Sequence, residues 1–113
     1  MNLFTTQEAG DAIVIRIWPQ RFTVPEVDQF QREVIELVDR YWVRHLILDM
    51  SRMDFIDSSI LGALIQIFKQ VESMRGKLTL VGLQTRVKEI LATTRLSSAF
   101  HTCDTVEAAL RER

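Results

Sequence analysis

The sequence predicts an α/β fold in which a mixed, mostly parallel central sheet of about five strands is covered by about four helices. Strand-like and helix-like segments alternate along most of the chain, and such alternation implies right-handed crossovers between parallel strands. In addition, Leu46-Ile47-Leu48 is apolar at consecutive positions, as in a central strand covered on both faces. The 113 residues contain no repeat or linker, so we expect one domain over residues 1–113.

The first two predicted strands form a hairpin. Residues 2–7 are a candidate edge strand, and residues 12–18 are rich in the β-branched residues that strands favour. Gly10 and Asp11 between them are typical of a tight turn. We therefore expect an antiparallel pair at the start of the sheet.

The first helix has a clear start. Thr23 can cap its N-terminus, Glu26 can reach back to the capping residue, and Pro25 occupies a first-turn position that needs no amide hydrogen. Apolar residues then recur at helical spacing and predict one stripe that packs on the sheet. The stripe consists of Val27, Phe30, Val34, Leu37, Val38 and Tyr41.

The remaining elements follow in alternation. Residues 43–50 contain the central strand, residues 58–75 read as a second helix that ends before a glycine, and residues 77–83 form the next strand. Residues 85–94 are a short third helix, and a short strand is expected near residues 99–101. Finally, Asp104 to Glu107 repeats the capping-box pattern and opens a last helix that runs through Leu110.

Composition limits the classes of partner. The 14 basic and 15 acidic residues nearly cancel, so no global field attracts nucleic acid or an acidic membrane. Met1 to Gly10 lacks the features of a signal peptide, and no apolar stretch approaches the ~20 residues that span a bilayer. Cys103 is the only cysteine, which excludes an internal disulfide or a multi-cysteine zinc site. We expect a cytoplasmic protein without nucleic-acid partners or membrane insertion.

The residues do not predict an enzyme. His45 precedes a strand and His101 lies near the chain end, and neither belongs to a pattern that pairs it with a nucleophile. The chain also has no Gly-rich phosphate loop with a following lysine. We therefore expect no catalytic residues, no cofactor and no metal.

The segment from Asp54 to Gly62 is the candidate functional site. It follows the central strand, and open α/β sheets place their sites at the carboxyl ends of strands. Asp57 or Ser58 can cap the second helix, whose first amides are unpaired beside the positive end of the helix dipole. A phosphate on Ser58, or alternatively on Ser59, would be stabilised there, whereas Asp57 would repel it. Plain capping without modification is the alternative.

The second helix carries too many apolar residues for one buried stripe. If Leu61, Leu64, Ile65 and Phe68 face the core, a second group formed by Ile60, Ala63 and Ile67 lies on a different side. That group could form an exposed patch for a partner, and a dianion at its edge would oppose docking. Alternatively, the helix is buried on two sides.

The segment Phe55-Ile56-Asp57-Ser58-Ser59-Ile60-Leu61-Gly62, after the strand at residues 46–49, resembles the motif of bacterial anti-sigma factor antagonists of the STAS family. The resemblance runs almost end to end. It includes the N-terminal hairpin, the first amphipathic helix, the strand at residues 76–82 and a Leu96-containing turn before the last strand. It implies the STAS fold.

The resemblance also implies a function. In that family the first serine of the motif, Ser58 here, is phosphorylated by a HATPase-type partner that is both serine kinase and anti-sigma factor. The unmodified antagonist binds this partner and frees the sigma factor, and a PP2C-type phosphatase reverses the modification. The implied partner-binding residues are Thr23, Asp57, Ser58, Ser59, Ile60, Ala63 and Ile67. A constitutive STAS subunit of a lipid-transport complex or a stressosome-like scaffold is the alternative, and it would use the same face.

Two positions depart from the family pattern. Ile60 stands where the motif usually has glycine, which places a β-branched group in the first turn beside Ser58 and bears on kinase access. Residues 20–23 lack the usual glycine and aspartate, so Thr23 can cap but carries no charge. Basic residues that could rim the site are Arg52, Arg75 and Arg95.

Overall fold

The computed structural model describes residues 2–95 and 98–112, which form one five-stranded sheet and four helices. Strand order in the sheet is the order along the chain, with β1 antiparallel to β2 and the other neighbours parallel. The elements are β1 (Phe4–Ala9), β2 (Ala12–Ile17), α1 (Val24–Tyr41), β3 (His45–Asp49), α2 (Ser58–Ser73), β4 (Lys77–Val81), α3 (Thr85–Thr93), β5 (His101–Cys103) and α4 (Val106–Arg111). The predicted α/β class is confirmed.

The helices are divided unequally between the two faces of the sheet. Side chains alternate along a strand, so Leu46 and Leu48 of β3 point to one face and Ile47 to the other. The first face packs against α1, α2 and α3, and among residues 2–95 and 98–112 the second is covered by the one helix α4. All three β3 residues are fully buried, which confirms β3 as a strand covered on both sides.

The start of α1 is as predicted, but its last turn is not. The Thr23 hydroxyl accepts from the Glu26 amide at 3.3 Å, and the Glu26 carboxylate accepts from the Thr23 amide at 2.8 Å. Tyr41, by contrast, is 65% exposed. The helix ends there, and Trp42 adopts a left-handed conformation (φ 49°) that turns the chain towards β3 before Tyr41 can reach the core.

The C-terminal elements are shifted from their predicted positions. The last strand is His101–Cys103 rather than residues 99–101, because these residues pair with β4 while Phe100 turns inward against Phe68. Thr105, rather than Asp104, caps α4, and its hydroxyl accepts from the Ala108 amide at 3.0 Å. The turn containing Leu96 lies outside the described residues.

The predicted exposed patch on α2 is wrong. Ile60, Ala63 and Ile67 are 5%, 1% and 0% exposed, so α2 is buried on two sides. The physical reason is that α1 lies beside α2 on the same face of the sheet, so these residues join the main hydrophobic core. No helix within residues 2–95 and 98–112 combines the length and apolar character that crossing a membrane requires.

Candidate functional site

The loop that leads into α2 is held between its neighbours at the carboxyl edge of the sheet. The Met50 amide donates to the Val81 carbonyl at 3.0 Å, and the Gln84 side chain donates to the Ser51 carbonyl at 2.9 Å. On the other side, the Asp54 amide donates to the carbonyl of Gln20, in the loop after β2, at 3.4 Å. Loops from three strands therefore position the first turn of α2.

Asp57 is the N-cap of α2. Its Oδ1 accepts from the Ile60 amide at 3.0 Å, and the first intrahelical bond runs from the Leu61 amide to the Asp57 carbonyl at 3.0 Å. The amides of Ser58 and Ser59 thus precede the helical hydrogen-bond ladder and lie at the positive end of the helix dipole. Of the two residues, Ser58 is exposed and Ser59 is half-buried.

The first turn of α2 can therefore receive an anion without repacking the core. The Ser58 side chain is accessible to an enzyme, and the amides beside it can donate to phosphoryl oxygens. The Asp57 carboxylate is already held by the Ile60 amide. Ile60 itself points inward, so its side chain does not cover Ser58 although it replaces the glycine of the motif.

Two arginines flank Phe55, three residues before Ser58. The guanidinium carbons of Arg21 and Arg86 lie 5.3 Å and 5.4 Å from the centre of the Phe55 ring, within cation–π range. Arg21 also donates to Asp54 Oδ1 at 3.0 Å. We call Arg21, Phe55 and Arg86 the arginine–phenylalanine cluster. Its two basic groups belong to the loop after β2 and to α3, so no local sequence pattern connects them.

The three arginines that were expected to rim the site lie in three separate places in the structure. Arg52 donates to the Trp18 carbonyl at 3.1 Å and lies over the Trp18 ring. It follows β3 and therefore lies at the same end of the strands as Ser58. Arg75 lines a groove with His45 and Lys77, where β3 and β4 begin, at the opposite edge from Ser58. Arg95 follows the C-terminus of α3, whereas Arg86 lies in its first turn.

The exposed face of α2 is polar rather than apolar. It is formed by Ser58, Gly62, Gln66, Lys69, Glu72 and Ser73. An ideal side-chain carbon built on Gly62 meets nothing within 4 Å, so a partner can approach the helix backbone closely at this point. Thr23 lies on the neighbouring loop, where its hydroxyl is used to cap α1. A partner at Ser58 would contact this polar face, not the predicted apolar one.

The comparison with family models decides what kind of domain this is. The model described as STAS domain matches residues 4–109. The chain belongs to the STAS domain family. This confirms the family and the fold that the sequence predicted. The match spans all five strands and the helices α1 to α3, and it ends within α4.

Relatives of this STAS domain match it over nearly their whole length. BtrV of Bordetella bronchiseptica, provisionally named an anti-sigma factor antagonist, is 30% identical over 104 residues, 92% of this chain and 89% of BtrV. A crystal structure of an anti-sigma factor antagonist from Thermotoga maritima, also provisionally named, has 25% identity and a TM-score of 0.84, covering 96% of this chain and 92% of that one. The Bacillus anti-sigma factor antagonist SpoIIAA in its unphosphorylated form has 20% identity and a TM-score of 0.80, covering 95% and 92%, and supports the fold alone.

Proposed function

We propose that this STAS domain is an anti-sigma factor antagonist that switches partners through phosphorylation of Ser58. The unmodified domain binds a HATPase-type protein that is both anti-sigma factor and serine kinase, and the sigma factor is thereby freed. The kinase phosphorylates Ser58, which releases the antagonist, and a PP2C-type phosphatase removes the phosphate. The names of the relatives support the antagonist role.

The observation that carries this proposal is the placement of Ser58. It is the first residue of α2, it is exposed, and its neighbour Asp57 takes the capping role that would otherwise occupy a serine hydroxyl. The Ser58 hydroxyl is therefore free to serve as a phosphoryl acceptor. Ser59 is half-buried in the same turn and is the less accessible alternative.

Phosphorylation would change the charge of the surface rather than the fold. A phosphate adds about −1.5 to −2 charges at neutral pH and can accept from the free amides of the first turn. Asp57 precedes Ser58 and is not among the ion-paired residues of the described chain, whereas Asp54 is paired with Arg21, so the phosphate adds its charge to that of Asp57 at the start of α2. A partner that docks on the polar face of α2 would meet like charge and unfavourable desolvation, and the complex would dissociate.

The arginine–phenylalanine cluster gives the same surface a basic element. Arg86 carries no ion pair among residues 2–95 and 98–112, whereas Arg21 is paired with Asp54. We assign Arg86 to recognition of an acidic group on the partner. The domain itself supplies no catalytic residue in this scheme: ATP, magnesium and the general base belong to the kinase, so no cofactor is needed here.

The proposal is tested by phosphorylating the purified protein. The protein is incubated with ATP, magnesium and each HATPase-type kinase encoded in its genome, and the modified residue is found by mass spectrometry. We expect phosphate on Ser58, loss of the modification in Ser58→Ala, and normal modification of the matched control Ser59→Ala. Phosphate on Ser59 alone, or no phosphorylation by any of these kinases, would contradict the proposal.

Binding to the same kinase tests the switch separately. Unmodified protein should bind in a titration, and phosphorylated protein should bind about 10-fold or more weakly, within the usual range of coupling energies. A Ser58→Ala variant that cannot be distinguished from wild type in cells would instead favour the constitutive-subunit alternative.

A further inference from the structure

The second face of the sheet holds a group of polar side chains that the proposed function does not use. In the part of the chain that the structure describes, the helix covering this face is α4, which has six residues. Because side chains alternate along β5, His101 and Cys103 point to the same face, on which Cys103 packs beside α4. Glu112, at the end of α4, extends back over the same strand. Ser58 lies on the other side, at the start of α2.

Three potential ligand atoms meet here. Cys103 Sγ lies 3.3 Å from Glu112 Oε2 and 3.8 Å from His101 Nε2. His101 Nε2 also contacts the same Glu112 oxygen directly. All three atoms lie within 4.8 Å of one another. Thiolate, imidazole and carboxylate together are a ligand set typical of zinc.

Two of the three spacings are compatible with tetrahedral coordination, and the third, between His101 and Glu112, would have to widen. With Zn–S of about 2.3 Å and Zn–N or Zn–O of about 2.0–2.2 Å, neighbouring ligands around zinc lie about 3.3–3.6 Å apart. The two distances from Cys103 Sγ bracket this range. An ion would replace the direct contact between His101 and Glu112, and three protein ligands would leave a fourth position for water. We propose that His101, Cys103 and Glu112 form a binding site for a zinc-class divalent cation.

Two further side chains, Lys77 and His45, lie close enough to the proposed site to affect the binding of a cation. Lys77 Nζ lies 3.8 Å from Glu112 Oε2, so its positive charge must move away when the ion binds. Its side chain is 40% exposed and flexible, which makes this displacement inexpensive. His45 shares a groove with Glu112, but its Nε2 is hydrogen bonded to Thr79 Oγ1 at 2.8 Å. We therefore leave His45 out of the ligand set.

Binding would join β5, the last and shortest strand, to the end of α4. The two ligands of β5 and Glu112 belong to elements that are otherwise held by few apolar side chains. The Cys103 thiol must lose its proton to bind, so binding releases a proton and weakens at low pH. Because the cation binds only the folded form, it should also raise the unfolding temperature.

The test uses the full chain, stripped of metal and kept reduced, and titrated with zinc chloride by calorimetry. We expect one zinc per chain, a rise in unfolding temperature, and at least a 10-fold loss of affinity in each of Cys103→Ser, His101→Gln and Glu112→Gln. The matched control is Thr102→Ala, in the same strand between two ligands, which should bind zinc like wild type.

Cobalt gives a second readout of the thiolate ligand. The wild-type protein with cobalt should show a sulfur-to-cobalt charge-transfer band in the near ultraviolet, and Cys103→Ser should lack it. Should Cys103→Ser fail to fold, Glu112→Gln decides, because Glu112 is at an exposed helix end. Absence of 1:1 binding, or unchanged affinity in Glu112→Gln, would overturn the proposal. Ser58→Ala should bind zinc normally, so the two proposals fail independently.

Discussion

Gly82 and Gly62 show how differently two glycines near the same site are constrained. Gly82, directly after β4, has φ of 71°, and a side-chain carbon there would lie 2.9 Å from Cβ of Ser51. Gly62 lies in α2, and a side-chain carbon there would meet nothing within 4 Å. Of these two positions, only position 82 requires glycine, because of its backbone conformation and its contact with Ser51.

Alanine at these two positions should change stability in opposite directions. Gly82→Ala combines a left-handed backbone with a steric clash, and we expect a loss of about 1–3 kcal/mol in the free energy of unfolding. Gly62→Ala should instead gain up to about 1 kcal/mol, because alanine is the better helix former. Urea denaturation of both variants measures this. A stabilised Gly82→Ala would contradict the conformation described here.

The residues of the candidate site differ in how well the sequence reveals them. Asp57 and Ser58 could be predicted because capping is local and depends on a few adjacent residues. The arginine–phenylalanine cluster could not, because Arg21, Phe55 and Arg86 come from three different segments. The grouping of His101, Cys103 and Glu112 could not be predicted either, because the three residues form no recognisable ligand motif along the chain, and no metal was expected. Only the packing of α4 brings Glu112 to β5.

At the scale of elements, α2 shows that one pattern of apolar residues can be interpreted in two ways. Its apolar residues correctly indicated two contact surfaces, but periodicity does not say whether the second surface meets a partner or another part of the chain. The structure places α1 there, so Ile60, Ala63 and Ile67 are core residues. The exposed surface of α2 is the polar face that begins at Ser58.

This correction has a direct stability test. Ile67 is fully buried, so Ile67→Ala should lower the free energy of unfolding by about 2–5 kcal/mol, as expected for a large cavity in the core. Its neighbour Gln66 is exposed, and Gln66→Ala should change stability by no more than about 0.5 kcal/mol. Chemical denaturation compares the two. A small effect at Ile67 would restore the exposed-patch prediction.

At the scale of the whole molecule, the pH dependence of stability should contain a contribution from His45. Burial is the main cause that lowers the pKa of His45 below its usual 6.5, and the nearby Lys77 ammonium adds to it. Asp11 and Glu112 oppose this shift, and His101 adds to it. The unfolded state therefore binds more protons than the folded state at mildly acid pH, and stability is lost as the pH falls below about 6.5.

Replacing the imidazole should flatten this part of the stability curve. We expect wild-type protein to lose more unfolding free energy than His45→Gln between pH 7.5 and pH 5.5, because glutamine does not titrate and can still hydrogen bond to Thr79. Urea denaturation at both pH values provides the comparison. Equal losses in the two proteins would show that His45 titrates normally in the folded state.

The architecture was largely predictable from the sequence, whereas the placement of three helices on one face of the sheet was not. Alternating strands and helices implied a mostly parallel sheet, and Leu46-Ile47-Leu48 indicated its centre. Alternation does not state the order of strands. Here the order follows the chain, and right-handed crossovers that always step in one direction place α1, α2 and α3 on the same face. Of the four described helices, α4 is the one that covers the other face.

This sequential strand order also has a consequence for synthesis. Each strand after β1 pairs with the strand made immediately before it, so no strand has to wait for a partner that is still inside the ribosome. The nascent sheet can grow at one edge while the chain is being translated. Both β5 and α4 follow the first four strands along the chain. The ligands of the proposed cation site, His101, Cys103 and Glu112, can therefore come together only after β1 to β4 have been synthesised.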